Sequence, residues 1–404
     1  MKHITWHSTL VLVASLAMTL GASADAQSAD TLEAIDGINL VNMMSKRVES
    51  FRNIGSIFPV QTIEREGSVF AFKESPEDIG ALPVKWKGET GTLEGFLDET
   101  TTTNFLVIKD DTIVYERYFR GNTKDSLATS WSVAKSFTSA LVGIALEEGY
   151  IESVDDPITR YLPELEQSGY NGVPIKHILQ MSSGIDFSEV YDDPNSDIKA
   201  MLVWLARGGS IADYAASLDS QRKSGEAFNY ASIDTNVLGM LIEETTGKSP
   251  ANYLEEKIWH QLGMESGATW ATDNHGNTLS FGYLNVTARD FAKFGRLYLN
   301  EGNWNGRQIV PAQWVEESVR PDQDYLKQVA TDGGSSIGYQ YQWWAPPGTQ
   351  GEFTAIGVWG QYIYVNPTHN IIIVKNSADP LFTQRTLETV DVFRAISRHL
   401  ADQR

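Results

Sequence analysis

A serine and a lysine three residues apart are the pair most suited to covalent chemistry in this sequence. Ser132 and Lys135 lie in the stretch from Thr129 to Phe137, and apolar residues follow at helical spacing, so both side chains are expected on one face at a helix start. A serine hydroxyl needs a neighbouring base to act as a nucleophile, and a lysine can be that base when burial lowers its pKa. The pair therefore predicts a serine nucleophile, although an isolated Ser-x-x-Lys is also compatible with an ordinary helix cap.

A tyrosine further along the chain offers this pair a proton donor. Tyr230 lies just before a helix predicted for residues 233–246, which should end at Gly247. A phenol beside a lysine can share protons with it, so Tyr230 could help to activate the serine and later protonate a leaving group. Taken alone, a tyrosine at a helix start is more often a half-buried packing residue.

A glycine-flanked segment near the C-terminus offers a backbone donor. Gly357, Val358, Trp359 and Gly360 are predicted to open the penultimate strand, where glycine lets a ligand approach the backbone closely. The N–H of Val358 would then complete an oxyanion hole with the N–H of Ser132. A strand bulge is an equally simple interpretation of the two glycines.

Paired acids and scattered histidines fit other chemistries less well. The acid pairs at 147–148, 155–156 and 192–193 have no His-rich spacing beside them, and the chain contains no cysteine, so no metal site is predicted. His275 could reach the serine from its loop and form a Ser-His-Asp triad, but that arrangement explains fewer residues than Ser132, Lys135 and Tyr230. The chemistry of these three groups needs no cofactor.

The elements that must hold these residues alternate between strands at the two ends and helices in the middle. Residues 104–118 predict a hairpin around Asp110-Asp111, and a second β pattern covers residues 358–364 and 371–374. Helices are predicted at 136–148, 175–181, 233–246 and 250–262. We expect an α/β (α+β) fold in which an antiparallel sheet, built from N- and C-terminal strands and flanked by helices, carries an inserted, mostly helical region.

The pattern of residues at the N-terminus predicts an export signal. Lys2 and His3 precede an apolar run from Leu10 to Leu20, and Ala24-x-Ala26 offers a cleavage site. The predicted organisation is a signal peptide at 1–26, an N-terminal extension at 27–100 and a main domain at 101–404. Within the main domain the α/β part covers about 101–150 and 280–404, and the helical region about 151–279. We expect a periplasmic or secreted protein, with a retained N-terminal anchor as the alternative.

The charge of the chain limits its partners. The 404 residues carry a formal net charge of −20, which argues against nucleic acid as a partner because no basic patch offsets the acidic excess. We expect a small-molecule partner, and no membrane partner once the signal is removed. The sequence does not indicate an oligomeric state.

Several ordered segments resemble one superfamily. Ser132-x-x-Lys135, residues 155–165, residues 177–184, Tyr230 before its helix and Leu262-Gly263-Met264 occur in the order found in the serine β-lactamase and penicillin-binding protein superfamily, in its class C β-lactamase and esterase branch. The similarity covers about residues 100–400. Residues 132–139, the loop 191–195 and Gly357-x-x-Gly360-Gln361 are also similar to 6-aminohexanoate-dimer hydrolases, which are nylon-oligomer amidases.

The resemblance implies a β-lactamase-like fold and hydrolysis of an amide or ester through an acyl-enzyme on Ser132. It assigns Tyr191 to a loop that folds over the substrate. Two departures argue against β-lactams: Ser232 stands where the superfamily has an asparagine, and the segment around Gly357 lacks a lysine or histidine. Trp359 instead offers a hydrophobic wall suited to an acyl chain. The alternatives are a D-amino-acid amidase or peptidoglycan carboxypeptidase, a weak β-lactamase, and a non-catalytic binding protein on the same fold.

Overall fold

The computed structural model describes residues 43–330, 336–348 and 351–402. The predicted signal peptide therefore lies outside the described residues. Among the described residues, no helix is both long enough and apolar enough to cross a bilayer.

Strands alternate with helices along most of the described chain. The strands are β1 (Val60–Ile63), β2 (Lys73–Glu74), β3 (Pro83–Trp86), β4 (Glu89–Thr92), β5 (Thr102–Lys109), β6 (Thr112–Tyr118), β7 (Ala128–Thr129), β8 (Ala268–Ala271), β9 (Leu284–Val286), β10 (Asn303–Trp304), β11 (Arg307–Gln308), β12 (Val329–Ala330), β13 (Ser336–Gln340), β14 (Trp343–Ala345), β15 (Phe353–Gly357), β16 (Gln361–Asn366) and β17 (Ile371–Ser377). The α-helices are α1 (Arg47–Ser50), α2 (Leu93–Glu99), α3 (Ala134–Glu147), α4 (Ile175–Leu179), α5 (Asp197–Ala206), α6 (Ile211–Ala216), α7 (Ser232–Thr246), α8 (Pro250–Leu254), α9 (Ala288–Leu299), α10 (Ala312–Ser318), α11 (Asp324–Lys327) and α12 (Thr386–Ala401). Shorter 3₁₀ turns cover Ile54–Ser56, Trp131–Val133, Ile158–Arg160, Pro163–Leu165 and Phe382–Gln384.

The main sheet joins strands from both ends of the chain. Its order is β12-β13-β14-β15-β16-β17-β5-β6-β2, and β17 pairs antiparallel with β5. Asp110 and Asp111 form the tight turn between β5 and β6 with φ of 51° and 58°, as a hairpin turn with two left-handed residues requires. The predicted hairpin and the predicted fold class are both confirmed.

Each face of this sheet is covered by its own hydrophobic core. Alternation along β17 sends Ile372 and Val374 into the core that contains residues of α3, α7 and α9, whereas Ile371 and Ile373 enter the core of α2 and α12. We call these the α3 face and the α12 face. Because helix α3 begins just after Ser132, the candidate nucleophile is positioned by the α3 face.

The described N-terminal residues add strands to both larger sheets. Strand β1 pairs with β8 in a four-stranded sheet of order β1-β8-β9-β7, and β2 pairs with β6 at the edge of the main sheet. The boundaries of the signal, extension and main domain given above remain predictions.

Two sequence-based boundaries were wrong. Residues 358–360, predicted to open the penultimate strand, instead form the turn between β15 and β16, because Trp359 and Gly360 have φ of 64° and 84°, which an extended strand cannot adopt. The helix predicted at 250–262 ends as α8 at Leu254 and continues as a π-helical turn over Glu255–Trp259. The prediction for 233–246 agrees with α7, which is closed by Gly247 at φ 68°.

Candidate active site

The nucleophile turn is the sharp strand-to-helix connection around Ser132. Strand β7 is held by β9, and Ser130 N donates to Leu284 O at 2.7 Å. Trp131 then takes a left-handed conformation with φ 45°, which is costly for a bulky residue. Its ring lies 5.2 Å from that of Phe51 and 5.0 Å from that of Tyr283, and these contacts hold the strained turn. As a result Ser132 stays partly exposed at the start of the helical segment.

Lys135 is buried directly behind Ser132. Its Nζ lies 3.0 Å from Ser132 Oγ and 3.0 Å from Ser232 Oγ, and it donates to Phe281 O at 2.8 Å. The side chain is only 1% exposed. Burial lowers the pKa of Lys135 to about 8, against the opposing effect of the Glu189 carboxylate. About a tenth of this amine is therefore unprotonated at pH 7, and about half at pH 8, and the unprotonated form can accept a proton from the serine.

Tyr230 completes the group around the serine. Its phenol lies close enough to the Ser132 side chain to influence its pKa, and Lys135 Nζ lies 5.2 Å from the centre of its ring. The ring stacks on Trp344 at 5.6 Å. Burial, together with the Glu189 carboxylate, raises the pKa of Tyr230 far above its usual value, so the phenol keeps its proton. The environment thus drives the two pKa values in opposite directions, an arrangement suited to a lysine base and a tyrosine acid.

Glu189 connects this group to the loop that carries Tyr191. Ser232 donates to Glu189 through its backbone N–H at 2.7 Å and through its hydroxyl at 2.8 Å, while the same hydroxyl accepts from Lys135. Tyr191 donates its hydroxyl at 2.7 Å to Glu189 Oε1, the same carboxylate oxygen that accepts from the Ser232 hydroxyl. Burial raises the pKa of Glu189, and Lys135 opposes that change. A continuous path of polar contacts therefore runs from Lys135 through Ser232 and Glu189 to Tyr191.

Strand β15 ends directly against the nucleophile turn. A Cβ atom on Gly357 would lie 2.6 Å from Ser130 O, 3.1 Å from Ser132 N and 3.1 Å from Trp131 Cβ, so only glycine allows this approach. Val358 follows at the start of the turn and is partly exposed. This proximity brings the backbone of the two predicted oxyanion donors, Ser132 and Val358, to one place.

The Gly357–Gly360 turn presents Trp359 as an aromatic wall. Gly360 N donates to Gly357 O at 3.2 Å, and Trp359 holds a positive φ at the third position, the pattern of a type II turn that normally has glycine there. The ring of Trp359 lies 5.5 Å from that of Phe382, which lies 5.7 Å from that of Tyr191. The guanidinium of Arg47 covers the ring of Trp359 at 4.6 Å. The predicted binding residues Tyr191 and Trp359 are thus joined by one row of aromatic rings.

Other candidate residues lie apart from Ser132. His275 Nε2 lies 2.9 Å from Gly208 O, and within the described part of the chain no histidine is among the hydrogen-bond partners of Ser132. The same described residues contain no cluster of three or more histidine or acidic side chains placed to hold a metal ion. A Ser-His-Asp triad is therefore not what the geometry offers.

The fold and this group of side chains define a hydrolase with a β-lactamase fold. The chain belongs to the Beta-lactamase family, which matches it over residues 92–392. This match covers every strand of the main sheet except β2, and all the candidate site residues.

The chain is also similar to individual proteins and solved structures. The chain is 30% identical over 342 residues to the 6-aminohexanoate-dimer hydrolase of Paenarthrobacter ureafaciens, covering 82% of this chain and 85% of that protein. A solved structure named "Putative 6-aminohexanoate-dimer hydrolase from Bacillus anthracis" is 26% identical, with a TM-score of 0.82, and the match covers 94% of this chain and 99% of that one. A family VIII carboxylesterase shares the fold alone, at 15% identity and a TM-score of 0.55, over 75% of this chain and 95% of that one. The predicted resemblance is confirmed.

Sequence reasoning missed several parts of this site. Glu189 has no distinguishing spacing, and only its position two residues before Tyr191 hinted at a role. Ser232 was noted as a missing asparagine and not as a contact of Lys135. The carbonyl of Phe281 could not be found from side-chain types, because it acts through the backbone.

Proposed function

We propose that the protein hydrolyses an amide or a carboxylic ester through an acyl-enzyme on Ser132. The observation that carries this proposal is the contact of 3.0 Å between Ser132 Oγ and the buried Nζ of Lys135, with the ring of Tyr230 beside that amine. Lys135 accepts the Ser132 proton while Oγ forms a bond to the carbonyl carbon. The N–H groups of Ser132 and Val358 hold the resulting oxyanion.

Collapse of this intermediate breaks the bond to the leaving group. Tyr230 gives its proton to the departing amine or alcohol, and the proton held by Lys135 restores the phenol. Water then attacks the acyl-enzyme with Lys135 again as base, and it releases the acid and free Ser132. No step in this cycle requires a cofactor or a metal.

Linear amides and esters with aliphatic acyl chains are the substrates that this site suits best. Tyr191, Phe382 and Trp359 offer an apolar surface beside the nucleophile turn. The positions that hold asparagine and a strand cation in β-lactamases carry Ser232 and no lysine or histidine on the Gly357–Gly360 turn. The similarity to the Paenarthrobacter 6-aminohexanoate-dimer hydrolase supports an oligoamide as one candidate substrate.

A substrate panel tests this proposal. Wild type and Ser132→Ala should be compared on p-nitrophenyl acyl esters, 6-aminohexanoate dimer, a D-alanyl-D-alanine peptide and nitrocefin. We expect Ser132-dependent turnover of the esters or the dimer and little or none of nitrocefin. Turnover confined to the D-alanyl peptide would identify a carboxypeptidase instead, and equal activity in Ser132→Ala would refute the mechanism.

We also propose that the protein acts after export to the periplasm or the medium. The basic, apolar and small-residue order of residues 1–26 supports this location. Mass measurement of the protein recovered from cell fractions checks it: a mature chain that begins at Gln27 is expected, and a full-length chain in the cytoplasm would contradict it.

A further inference from the structure

Two buried polar residues of β17 have no part in the reaction described above. Lys375 and Ser377 are each 1% exposed. Alternation along the strand places them on the α12 face with Ile371 and Ile373, and Lys375 Nζ lies 6.0 Å from the ring centre of Phe96 in α2. Burial lowers the pKa of Lys375 to about 7. A buried amine on the sheet face opposite helix α3 needs an explanation other than direct catalysis.

Both side chains are aimed at the back of the Gly357–Gly360 turn. Ser377 Oγ lies 2.6 Å from Trp359 O and 2.9 Å from Gly360 O, and Lys375 Nζ lies 2.9 Å from Ser377 Oγ. A Cβ atom on Gly360 would lie 2.4 Å from Ser377 Oγ and 3.2 Å from Lys375 Nζ. Since the amine donates to the hydroxyl oxygen, the hydroxyl proton is left to bond the turn carbonyls.

These contacts also affect the direction of the Val358 N–H. Two planar peptide groups transmit the effect: the one between Trp359 and Gly360 and the one between Gly357 and Val358. Trp359 O is fixed by Ser377 and by the N–H of Asp379 at 3.0 Å. In a trans peptide the N–H points away from the carbonyl, so Gly360 N is directed to Gly357 O, which it meets at 3.2 Å. The carbonyl of Gly357 is in turn opposite the N–H of Val358. Fixing the first carbonyl therefore sets the direction of the oxyanion donor.

The charges near Lys375 are locally compensated. Asp379 pairs with Arg385 at 3.3 Å, and Arg385 pairs with Glu99 at 2.8 Å. Asp379 and Glu99 thus each have Arg385 as an ion-pair partner. Lys375 is thus held in place without a carboxylate in direct contact, and its short polar contact is the hydroxyl that faces the turn.

We propose that Ser377, held by Lys375, is a positioning residue that orients the Val358 N–H toward the oxyanion formed at Ser132. This inference rests on the proposed function. It predicts that removing the Ser377 hydroxyl weakens stabilisation of the tetrahedral intermediate and leaves binding of the ground-state substrate nearly unchanged.

The test variants are Ser377→Ala, Ser377→Thr and Lys375→Met. The control is Ser397→Ala, because it also removes a buried hydroxyl, one that donates to Phe393 O within α12, away from the turn. For Ser377→Ala we expect kcat to fall about 10- to 100-fold with KM within about threefold, part of the loss caused by deleting an oxyanion donor. The inhibition constant of an alkyl boronic acid, which forms a tetrahedral serine adduct, should rise by the same factor. Ser377→Thr should restore both values, and Ser397→Ala should change neither.

Each outcome decides the proposal. If folded Ser377→Ala keeps the wild-type kcat and boronate affinity, or if KM alone changes, the positioning role is refuted. If Ser377→Ala does not fold, Lys375→Met decides by the same two measurements, with a loss in kcat and boronate affinity expected. Failure of the proposed function would look different, because wild type itself would then show no Ser132-dependent hydrolysis and no Ser132-dependent boronate binding.

Discussion

Replacing Gly357 with alanine perturbs the site at the point where β15 meets the nucleophile turn. The added Cβ would lie 2.6 Å from Ser130 O, whereas ordinary contacts begin at about 3.4 Å, so the two backbones must separate by about 0.8 Å. Ser130 O and Ser132 N, the two nearest atoms, belong to the backbone and cannot rotate away as a side chain would. The turn that carries Val358 N–H would therefore retreat from Ser132.

This displacement has a calculable cost. A misplacement of about 1 Å between reacting groups can lower a rate by about 100-fold, so we expect kcat to fall about 10- to 100-fold. That loss equals about 1.4–2.7 kcal/mol of transition-state stabilisation. The overpacked contact should also lower the free energy of unfolding by about 1–3 kcal/mol.

Steady-state kinetics on a p-nitrophenyl ester, with urea unfolding in parallel, measures both quantities. Gly55→Ala is the matched control, since its nearest neighbour would lie at an ordinary 3.6 Å from the new Cβ. A Gly357→Ala enzyme with kcat within twofold of wild type would refute the inferred closeness of the two backbones, whatever its stability.

Three further predictions concern the groups around this contact. The kcat/KM of wild type should rise with pH through about 8, because only the unprotonated amine of Lys135 is a base. Glu189→Gln should move this rise to lower pH, because the Glu189 carboxylate raises the pKa of Lys135. A pH profile that does not move in Glu189→Gln would contradict the coupling between Glu189 and Lys135. Tyr230→Phe should lower kcat about 100-fold on an amide and much less on a p-nitrophenyl ester, whose leaving group departs without a proton; equal losses on both substrates would exclude the role of proton donor. Gly360→Ala should lower the free energy of unfolding, measured in urea, because its φ is 84° and the Cβ would meet Ser377 Oγ at 2.4 Å; a wild-type unfolding curve would contradict this packing.

Much of the fold follows from local pattern. The alternation around Asp110-Asp111 and the apolar spacing of α7 with Gly247 at its end depend on neighbouring residues, so the sequence predicts them. A sheet shared by strands from both ends of the chain was expected, because such strands must bury their apolar faces, but the pairing of β17 with β5 within it was not predicted.

The Gly357–Gly360 turn shows where local pattern fails. Trp359 has the side chain of a strand residue, and only contacts from elsewhere hold it at a positive φ. Those contacts come from Ser377 and from the rings of Phe51 and Phe382, which are separated from it in sequence. Such tertiary constraint is not readable from the spacing of Gly357 and Gly360.

The candidate site also contains both residues that the sequence predicts and residues that it does not. Ser132 and Lys135 were candidates because helical spacing places residues three apart together, whereas Tyr230 was singled out by its place in the ordered segments that resemble the superfamily. Glu189 was not, because its place beside Ser232 depends on how the loop before α5 folds back over α7. Its influence on the pKa of Lys135 is a property of three-dimensional distance alone.

The most direct measurement of the central claim is mass spectrometry of the protein after reaction with a fluorophosphonate probe. We predict one adduct per chain, found on the peptide that contains Ser132, absent from Ser132→Ala and formed much more slowly by Lys135→Met. An adduct on another residue, or equal labelling of wild type and Ser132→Ala, would contradict the assignment of Ser132 as the nucleophile.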